Sequence, residues 1–129
     1  MSPHILIVED HQGVRQSLRE WLELSFPHYQ LLEAKSGEEA ITIAQTMSPR
    51  LVIMDIGLPG MSGIEAAQGI KAAVPETRVV VLTIYDDEAH RADAAAAGVS
   101  AYVPKRKVQT ELLPVLTRLL AEDDGKPPS

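Results

Sequence analysis

The chain has 129 residues, 45% of them hydrophobic, and its 18 acidic and 12 basic residues give a formal net charge of −6. This length suits one domain with its own core, and the acidic balance disfavours direct binding to nucleic acid. The absence of cysteine excludes disulfides and thiolate metal sites, and no apolar run approaches the ~20 residues that a membrane span needs. The opening MSPHILIVED lacks the basic region of a secretory signal, so we expect a cytoplasmic protein.

The first part of the chain predicts two strand–helix pairs. The apolar run His4–Val8 predicts a strand, and two acids follow it directly. The next segment, from His11 to Ser25, predicts a helix because its apolar residues recur at helical spacing. These apolar residues are Val14, Leu18, Trp21 and Leu22. A short strand over Tyr29–Ala34 and a second helix follow, and Ser36 with Glu39 matches a capping box at the start of that helix.

The central segment LVIMDIGLPG predicts a strand buried on both of its faces. Leu51–Met54 is an uninterrupted apolar run, Asp55 ends it, and the chain then enters a turn rich in glycine and proline. In open α/β sheets, ligands bind beside the carboxyl ends of the strands, which makes Asp55 a candidate functional residue. Taken alone, Asp55 fits equally well as a residue that starts a turn or caps a helix.

The second half of the chain continues the alternation of strands and helices. Ser62 and Glu65 form another capping-box pattern, and Pro75 ends the helix that follows. The remaining predicted elements are a strand over Arg78–Thr83, a helix from Asp86 to Ala97 with Gly98 as its C′ residue, a strand over Ser100–Pro104 and a helix from Val108 to Glu122. Pro114 predicts a late start or a kink in the last helix. The final residues have a linker-like composition, so we assign 1–121 to the domain and 122–129 to a tail or linker.

Five strands that alternate with five helices predict a parallel sheet in an α/β fold, since the helices supply the crossovers. The carboxyl ends of parallel strands lie at one edge of a sheet. That edge would bring together Glu9, Asp10, Asp55, Thr83 and Lys105. Two carboxylates about 5 Å apart repel by ~3 kcal/mol at an effective dielectric near 20, and a hard cation such as Mg²⁺ would relieve the repulsion. A carboxylate beside Mg²⁺ can attack a phosphoryl group, which a lysine and a hydroxyl could then hold.

Four segments resemble the receiver domain of two-component response regulators. They are VEDH at 8–11, MDIGLPGMSG at 54–63, VVVLT at 79–83 and YVPK at 102–105. The resemblance extends from about His4 to about Leu120. It implies the doubly wound, three-layer CheY-like fold with a five-stranded parallel sheet in the order 2-1-3-4-5.

The resemblance also implies how a phosphoryl group would be held. Asp55 would accept it from a histidine kinase, Thr83 would bind a phosphoryl oxygen and report the modification, and Lys105 would pair with the phosphoryl group. Tyr102 lies where the family has its switch aromatic, although packing within the strand explains a tyrosine there equally well. Many family members have a proline in a cis bond directly after this lysine; here Arg106 follows it, so we expect no cis bond at that position.

The metal site that the resemblance implies would hold Mg²⁺ as the one cofactor. Its implied ligands are Asp10 and Asp55 directly, Glu9 through a water molecule, and the carbonyl of Gly57. On this basis the domain would act as a signalling switch, and its only reactions would be its own phosphorylation and dephosphorylation.

The segments VEDHQGVRQSL and YVPK are most similar to receivers of NarL/LuxR-type transcription regulators, in which a helix-turn-helix domain follows a linker. This sequence contains no such domain, so it would be either a fragment or a stand-alone receiver that acts by protein contact. Phosphorylation is expected to alter the face formed by the fourth helix, fifth strand and fifth helix, and to favour a homodimer. Two other classes stay open at this point. They are a Mg²⁺-dependent aspartate phosphatase, which tends to carry a second acid where Gly57 stands, and a flavin-binding module, whose phosphate loop would here be acidic.

Overall fold

The computed structural model describes residues 3–125 of the chain, with side chains up to Ala121. Five strands and five α-helices alternate within these residues. The strands are β1 (His4–Val8), β2 (Gln30–Ala34), β3 (Leu51–Asp55), β4 (Arg78–Thr83) and β5 (Ala101–Pro104). The helices are α1 (Gln12–Ser25), α2 (Gly37–Met47), α3 (Gly63–Ala73), α4 (Glu88–Ala96) and α5 (Val108–Gly125), with a 3₁₀ turn at Lys105–Lys107 before α5.

The strands form one parallel sheet in the order β2-β1-β3-β4-β5, which confirms the predicted fold class. Alternate residues of each strand supply two apolar clusters, one on each face of the sheet. One cluster includes Ile53 with residues of α1 and α5, and the other includes Met54 with residues of α2 and α3. All five residues of β3 are buried, because helices cover this central strand on both faces.

Side chains at the helix starts agree with the predicted boundaries. The Ser36 hydroxyl accepts from the Glu39 amide at 3.1 Å, and Ser62 forms a full capping box with Glu65. Helix α4 begins at Glu88, two residues later than predicted, because Asp87 acts as its N-cap. Gly98 follows that helix with φ of 86°, as a C′ glycine should.

Two details of the helices differ from a simple interpretation of the sequence. In α1, Val14 is 42% exposed, and Arg15 occupies the buried position beside Leu18 and Leu22. The last helix does not start late, because α5 begins at Val108 and continues through Pro114, where buried leucines of the first cluster hold it; the alternative, a kink at Pro114, stays a prediction.

The carboxyl terminus of the described chain also differs from the prediction. Helix α5 continues to Gly125, beyond the predicted end at Glu122, so residues 122–125 of the expected tail are helical. The rest of that tail, 126–129, lies outside the described residues. Between residues 3 and 125, no helix has both the length and the apolarity needed to cross a membrane, and no peptide bond is cis.

Candidate functional site

The parallel sheet brings the five predicted residues to one edge. Glu9 and Asp10 follow β1, Asp55 ends β3, Thr83 ends β4, and Lys105 follows β5. Because β1, β3 and β4 are neighbours in the sheet, the polar residues at their ends become neighbours in space. The gathering of these residues from four separate segments is therefore a direct result of the strand order.

Asp55 is the centre of this group and is 8% exposed. Its Oδ2 atom lies 3.0 Å from the Lys105 ammonium, and its Oδ1 atom accepts a hydrogen bond from the Gly57 amide at 3.0 Å. The same ammonium lies 3.7 Å from the Glu9 carboxylate. Each oxygen of Asp55 thus has a defined partner, so the carboxylate is held in one orientation.

Three carboxylates surround the same point. One oxygen from each of Glu9, Asp10 and Asp55 lies within 4.8 Å of the others. Glu9 and Asp55 are buried, whereas Asp10 is exposed, so the cluster opens to solvent on the side of Asp10. A set of oxygen donors without histidine fits a hard cation that retains some of its water, and Mg²⁺ has these properties. The residues present therefore fit the predicted magnesium site.

The electrostatics of the cluster also favour a cation. Burial, the charge of Asp55, and hydrogen bonds with Asp55 and Asp10 raise the pKa of Glu9 to about 7, against its ordinary 4.5. Burial disfavours the Lys105 ammonium, but the hydrogen bond and charge of Asp55 outweigh this effect and raise the pKa of Lys105. The lysine therefore remains charged near neutral pH, while burial and the neighbouring acids let Glu9 retain its proton up to about pH 7.

The loop after β3 fixes the backbone of Asp55. The Ile56 amide donates to the Leu82 carbonyl at 3.0 Å, and the Gly63 amide donates to the Ile56 carbonyl at 3.0 Å. A Cβ atom at position 63 would lie 2.4 Å from the Asp55 carbonyl oxygen, so only glycine allows helix α3 to begin this close to the strand. The turn that the glycines and proline predicted is thus tightly packed against the strand end.

Thr83 and Lys105 line a small cleft next to Asp55. Thr83 is 1% exposed, and its Oγ1 atom accepts from the Tyr85 amide at 2.9 Å. The cleft has a volume of about 180 Å³, and its other lining residues are Asp55, Gly57, Ile84 and Tyr85. Pockets for drug-sized ligands typically begin near ~300 Å³, so this cleft suits a phosphoryl group better than a flavin.

Tyr102 lies in the edge strand β5 and contacts the loop after β4. Its hydroxyl donates to the Tyr85 carbonyl at 2.5 Å, and the Arg91 guanidinium lies 4.7 Å from the centre of its ring. Tyr102 therefore contacts the backbone of the loop that follows Thr83. Its role as a switch stays a prediction.

An ion-pair network covers the same loop. Arg91 bonds to Asp86 at 2.7 Å, and Arg106 also pairs with Asp86. Arg106 directly follows Lys105, and its pairing with Asp86 connects the turn that carries Lys105 to the loop after Thr83. The two loops that carry the cleft residues are thus joined at the surface.

Sequence reasoning missed Arg15, which supports the backbone of the acidic cluster. Its Nη1 atom donates to the Glu9 carbonyl at 2.9 Å, and its Nε atom donates to Glu33 at 2.9 Å. The available signal was its spacing, because Arg15 stands three residues before Leu18 and seven before Leu22 on the buried side of α1.

Comparisons with known proteins confirm the family resemblance that the sequence motifs indicated. The profile of the family described as "Response regulator receiver domain" matches residues 5–117. The Bacillus subtilis transcriptional regulatory protein YhcZ is 36% identical over 109 residues, which are 84% of this chain and 51% of that protein. This chain spans about half the length of the curated relatives it matches.

Two solved structures show the same similarity at the level of the fold. A LuxR-family two-component response regulator from Aurantimonas has a TM-score of 0.86 and 33% identity, and the match covers 94% of this chain and 86% of that one. The response regulator TrrA from Thermotoga maritima, in complex with Mg²⁺ and BeF, has a TM-score of 0.80 and 32% identity, with coverage of 91% and 98%.

Proposed function

The chain belongs to the response regulator receiver domain family, and from that premise we propose that it accepts a phosphoryl group on Asp55 and thereby changes the shape of an output face. Receiver domains are signalling switches phosphorylated by sensor histidine kinases, so a kinase of that class is the proposed donor. The observation that carries the proposal is the hydrogen bond of 3.0 Å between Lys105 and Asp55 beside two further acids.

The proposed transfer is an in-line displacement at phosphorus. One carboxylate oxygen of Asp55 forms a bond to the phosphorus atom, while the bond from phosphorus to the donor nitrogen, or to the oxygen of acetyl phosphate, breaks and its electron pair leaves with the donor. Lys105 neutralises charge on the phosphoryl oxygens, and Thr83 donates a hydrogen bond to one of them. The Gly57 amide and the Lys105 ammonium already orient the two carboxylate oxygens for this attack.

Mg²⁺ is the proposed cofactor, and it would supply positive charge that offsets the charge of the phosphoryl group. Asp10 and Asp55 would bind it directly, Glu9 through a water molecule, and Gly57 through its carbonyl. Support comes from the three carboxylates within 4.8 Å and from the relative that was solved in complex with Mg²⁺ and BeF.

The proposed output is a change in the face formed by α4, β5 and α5. Thr83 ends the strand before α4 and Lys105 begins the turn before α5, so their movement toward a phosphoryl group would reach both helices. We propose that this face mediates a phosphorylation-dependent homodimer, with Tyr102 as the switch aromatic. Because this chain spans about half the length of its relatives, we further propose that it regulates a LuxR-type DNA-binding domain joined to it by a linker beyond α5.

The test is mass spectrometry after incubation with acetyl phosphate and Mg²⁺. The wild-type chain should gain one phosphoryl group, and both Asp55→Asn and chelation by EDTA should prevent the gain. Continuous release of inorganic phosphate over many turnovers would instead identify a phosphatase. Comparable phosphorylation of Asp55→Asn would contradict the assignment of the acceptor.

A further inference from the structure

The backbone of Glu9 is held on both sides at the point where β1 ends. Its amide donates to the Ala34 carbonyl of β2 at 3.1 Å, and its carbonyl accepts from Arg15 of α1 at 2.9 Å. The carbonyl of Glu9 belongs to the peptide unit that leads into Asp10, so the orientation of this peptide fixes where the Asp10 side chain begins. A contact made to the backbone thereby controls the geometry of two carboxylates.

Arg15 is itself held firmly in place. It is 9% exposed, and its Nε atom donates to Glu33 of β2 at 2.9 Å. The second oxygen of Glu33 accepts from Arg19 at 2.5 Å, one turn further along α1. Burial acts to raise the pKa of Glu33, but hydrogen bonds from the two arginines outweigh it and lower the pKa, so Glu33 stays ionised as their partner.

We propose that Arg15 is a positioning residue for a divalent-cation site formed by Glu9 and Asp10. A planar guanidinium can donate to a carbonyl and to a carboxylate in fixed directions at once, whereas an ammonium cannot reproduce this fork. Arg15 contacts neither the cation nor the phosphoryl group, and it acts by fixing the peptide between the two acids. This inference rests on the proposed function in one respect, since it requires that the acids bind Mg²⁺.

The effect should appear in cation affinity. Loss of the residues that orient metal ligands typically weakens binding by ~10–100-fold. We therefore expect Arg15→Met to raise the Mg²⁺ dissociation constant about 10-fold or more, and to shift the Mg²⁺ dependence of phosphorylation by acetyl phosphate to higher concentrations. The rate at saturating Mg²⁺ should change little, because Asp55, Thr83 and Lys105 keep their places.

The experiment measures Mg²⁺ binding by calorimetry, together with the free energy of unfolding in urea, for wild type, Arg15→Met, Arg15→Lys and Arg19→Met. Arg19→Met is the matched control, because it removes an ion pair with Glu33 but leaves the bond from Arg15 to the Glu9 carbonyl. We expect the dissociation constant to rise most in Arg15→Met and less in Arg15→Lys, and to remain within about two-fold in Arg19→Met, well below the effect typical of an orienting residue.

Two outcomes separate this inference from the proposed function. If wild type itself does not bind Mg²⁺, the proposed metal site fails. If wild type binds Mg²⁺ and Arg15→Met is less stable but binds it equally well, Arg15 is merely structural and the inference is overturned. Should Arg15→Met not fold, Glu33→Gln serves in its place, because it weakens the hydrogen bond that Glu33 accepts from the Arg15 Nε atom. An unchanged Mg²⁺ dissociation constant in both Glu33→Gln and Arg15→Lys would also overturn the inference.

Discussion

The raised pKa of Glu9 predicts that a rise in pH lowers the free energy of unfolding of the metal-free protein, whereas added Mg²⁺ raises it. In the unfolded chain Glu9 loses its proton near its ordinary value of 4.5, whereas in the metal-free folded protein it does so near 7. Between these values the folded state binds one more proton than the unfolded state, so stability falls as pH rises through this window. The stabilisation that comes from protonated Glu9 in the folded state is complete below about pH 4.5 and is lost above about pH 7.

The size of the effect follows from the same two values. The difference between 4.5 and about 7 corresponds to roughly 3 kcal/mol of unfolding free energy. Burial is the largest cause of this difference, and repulsion by Asp55 adds to it; two charges 4.8 Å apart, the upper limit of the spacing in the cluster, repel by ~3 kcal/mol at an effective dielectric of 20. For a domain of this length, 3 kcal/mol corresponds to a change of about 10 °C in Tm. Mg²⁺ favours ionised Glu9, so its apparent affinity should be up to ~30-fold weaker at pH 5.5 than at pH 8.

The assay is thermal unfolding from pH 5 to pH 8, with and without a fixed concentration of Mg²⁺. The control is Glu9→Gln, which has no proton to lose at that position, so the difference between wild type and this variant isolates Glu9 from other titrating groups. As pH rises, we expect the Tm of metal-free wild type to fall relative to that of Glu9→Gln. We also expect the increase in the Tm of wild type caused by Mg²⁺ to become larger over the same range. A difference that is constant across this range, or an equal Mg²⁺ shift at pH 5.5 and pH 8, would refute the reasoning.

Two further predictions concern the output face and the core. Beryllofluoride with Mg²⁺ should change amide chemical shifts throughout α4, β5 and α5, and it should increase self-association measured by sedimentation. Neither effect should occur in Asp55→Asn. Chemical-shift changes confined to the loops around Asp55 would exclude this output face. Leu116→Ala should lower the free energy of unfolding in urea by ~2–5 kcal/mol, because Leu116 is fully buried against the sheet. Leu24→Ala is its control, since Leu24 is 85% exposed and its truncation should change stability by no more than about 0.5 kcal/mol.

The fold was predictable because its local signals agree with one another. The apolar run Leu51–Met54, the capping pattern at Ser62 and the glycine at position 98 each specify one element or boundary, and parallel strands require the helices between them. The observed start of α4 differs from the predicted one because Asp87 acts as the N-cap in place of an earlier residue. At Pro114 the predicted late helix start does not occur, because burial of leucines on both sides of the proline outweighs its missing amide.

The sequence indicated which residues form the site, but it did not indicate the contacts that hold their backbone and loops in place. Polar residues at strand ends are visible in the sequence, and the parallel sheet alone brings them together. The bond from Arg15 to the Glu9 carbonyl depends on how α1 lies across the sheet, and the pairing of Arg106 with Asp86 depends on the approach of two loops. Helical spacing can indicate that Arg15 is buried, but it does not identify the partner in either contact, because each contact joins segments whose distance is set only by packing.

Formal charges explain why the proposed cation and Lys105 are both needed. Above pH 7 the cluster holds the three carboxylates of Glu9, Asp10 and Asp55 against one ammonium, a formal balance of −2. One Mg²⁺ ion would bring this balance to zero before transfer. Phosphorylation of Asp55 would then add roughly one further negative charge. The modified site would therefore carry about one excess negative charge, and a hydrogen-bond donor that can move toward it would stabilise that charge.

Thr83 is the donor that the geometry offers for this purpose. Its Oγ1 atom accepts from the Tyr85 amide at 2.9 Å, and its own proton can be donated to a phosphoryl oxygen. Movement of Thr83 toward Asp55 would strain the contact with Tyr85, whose carbonyl holds the Tyr102 hydroxyl at 2.5 Å. We therefore expect phosphorylation of Asp55 to change the position of Tyr102 in β5. The change would pass through two hydrogen bonds of Tyr85, one from its amide to Thr83 and one from the Tyr102 hydroxyl to its carbonyl. Under this proposal Tyr102 responds to phosphorylation without touching the phosphoryl group.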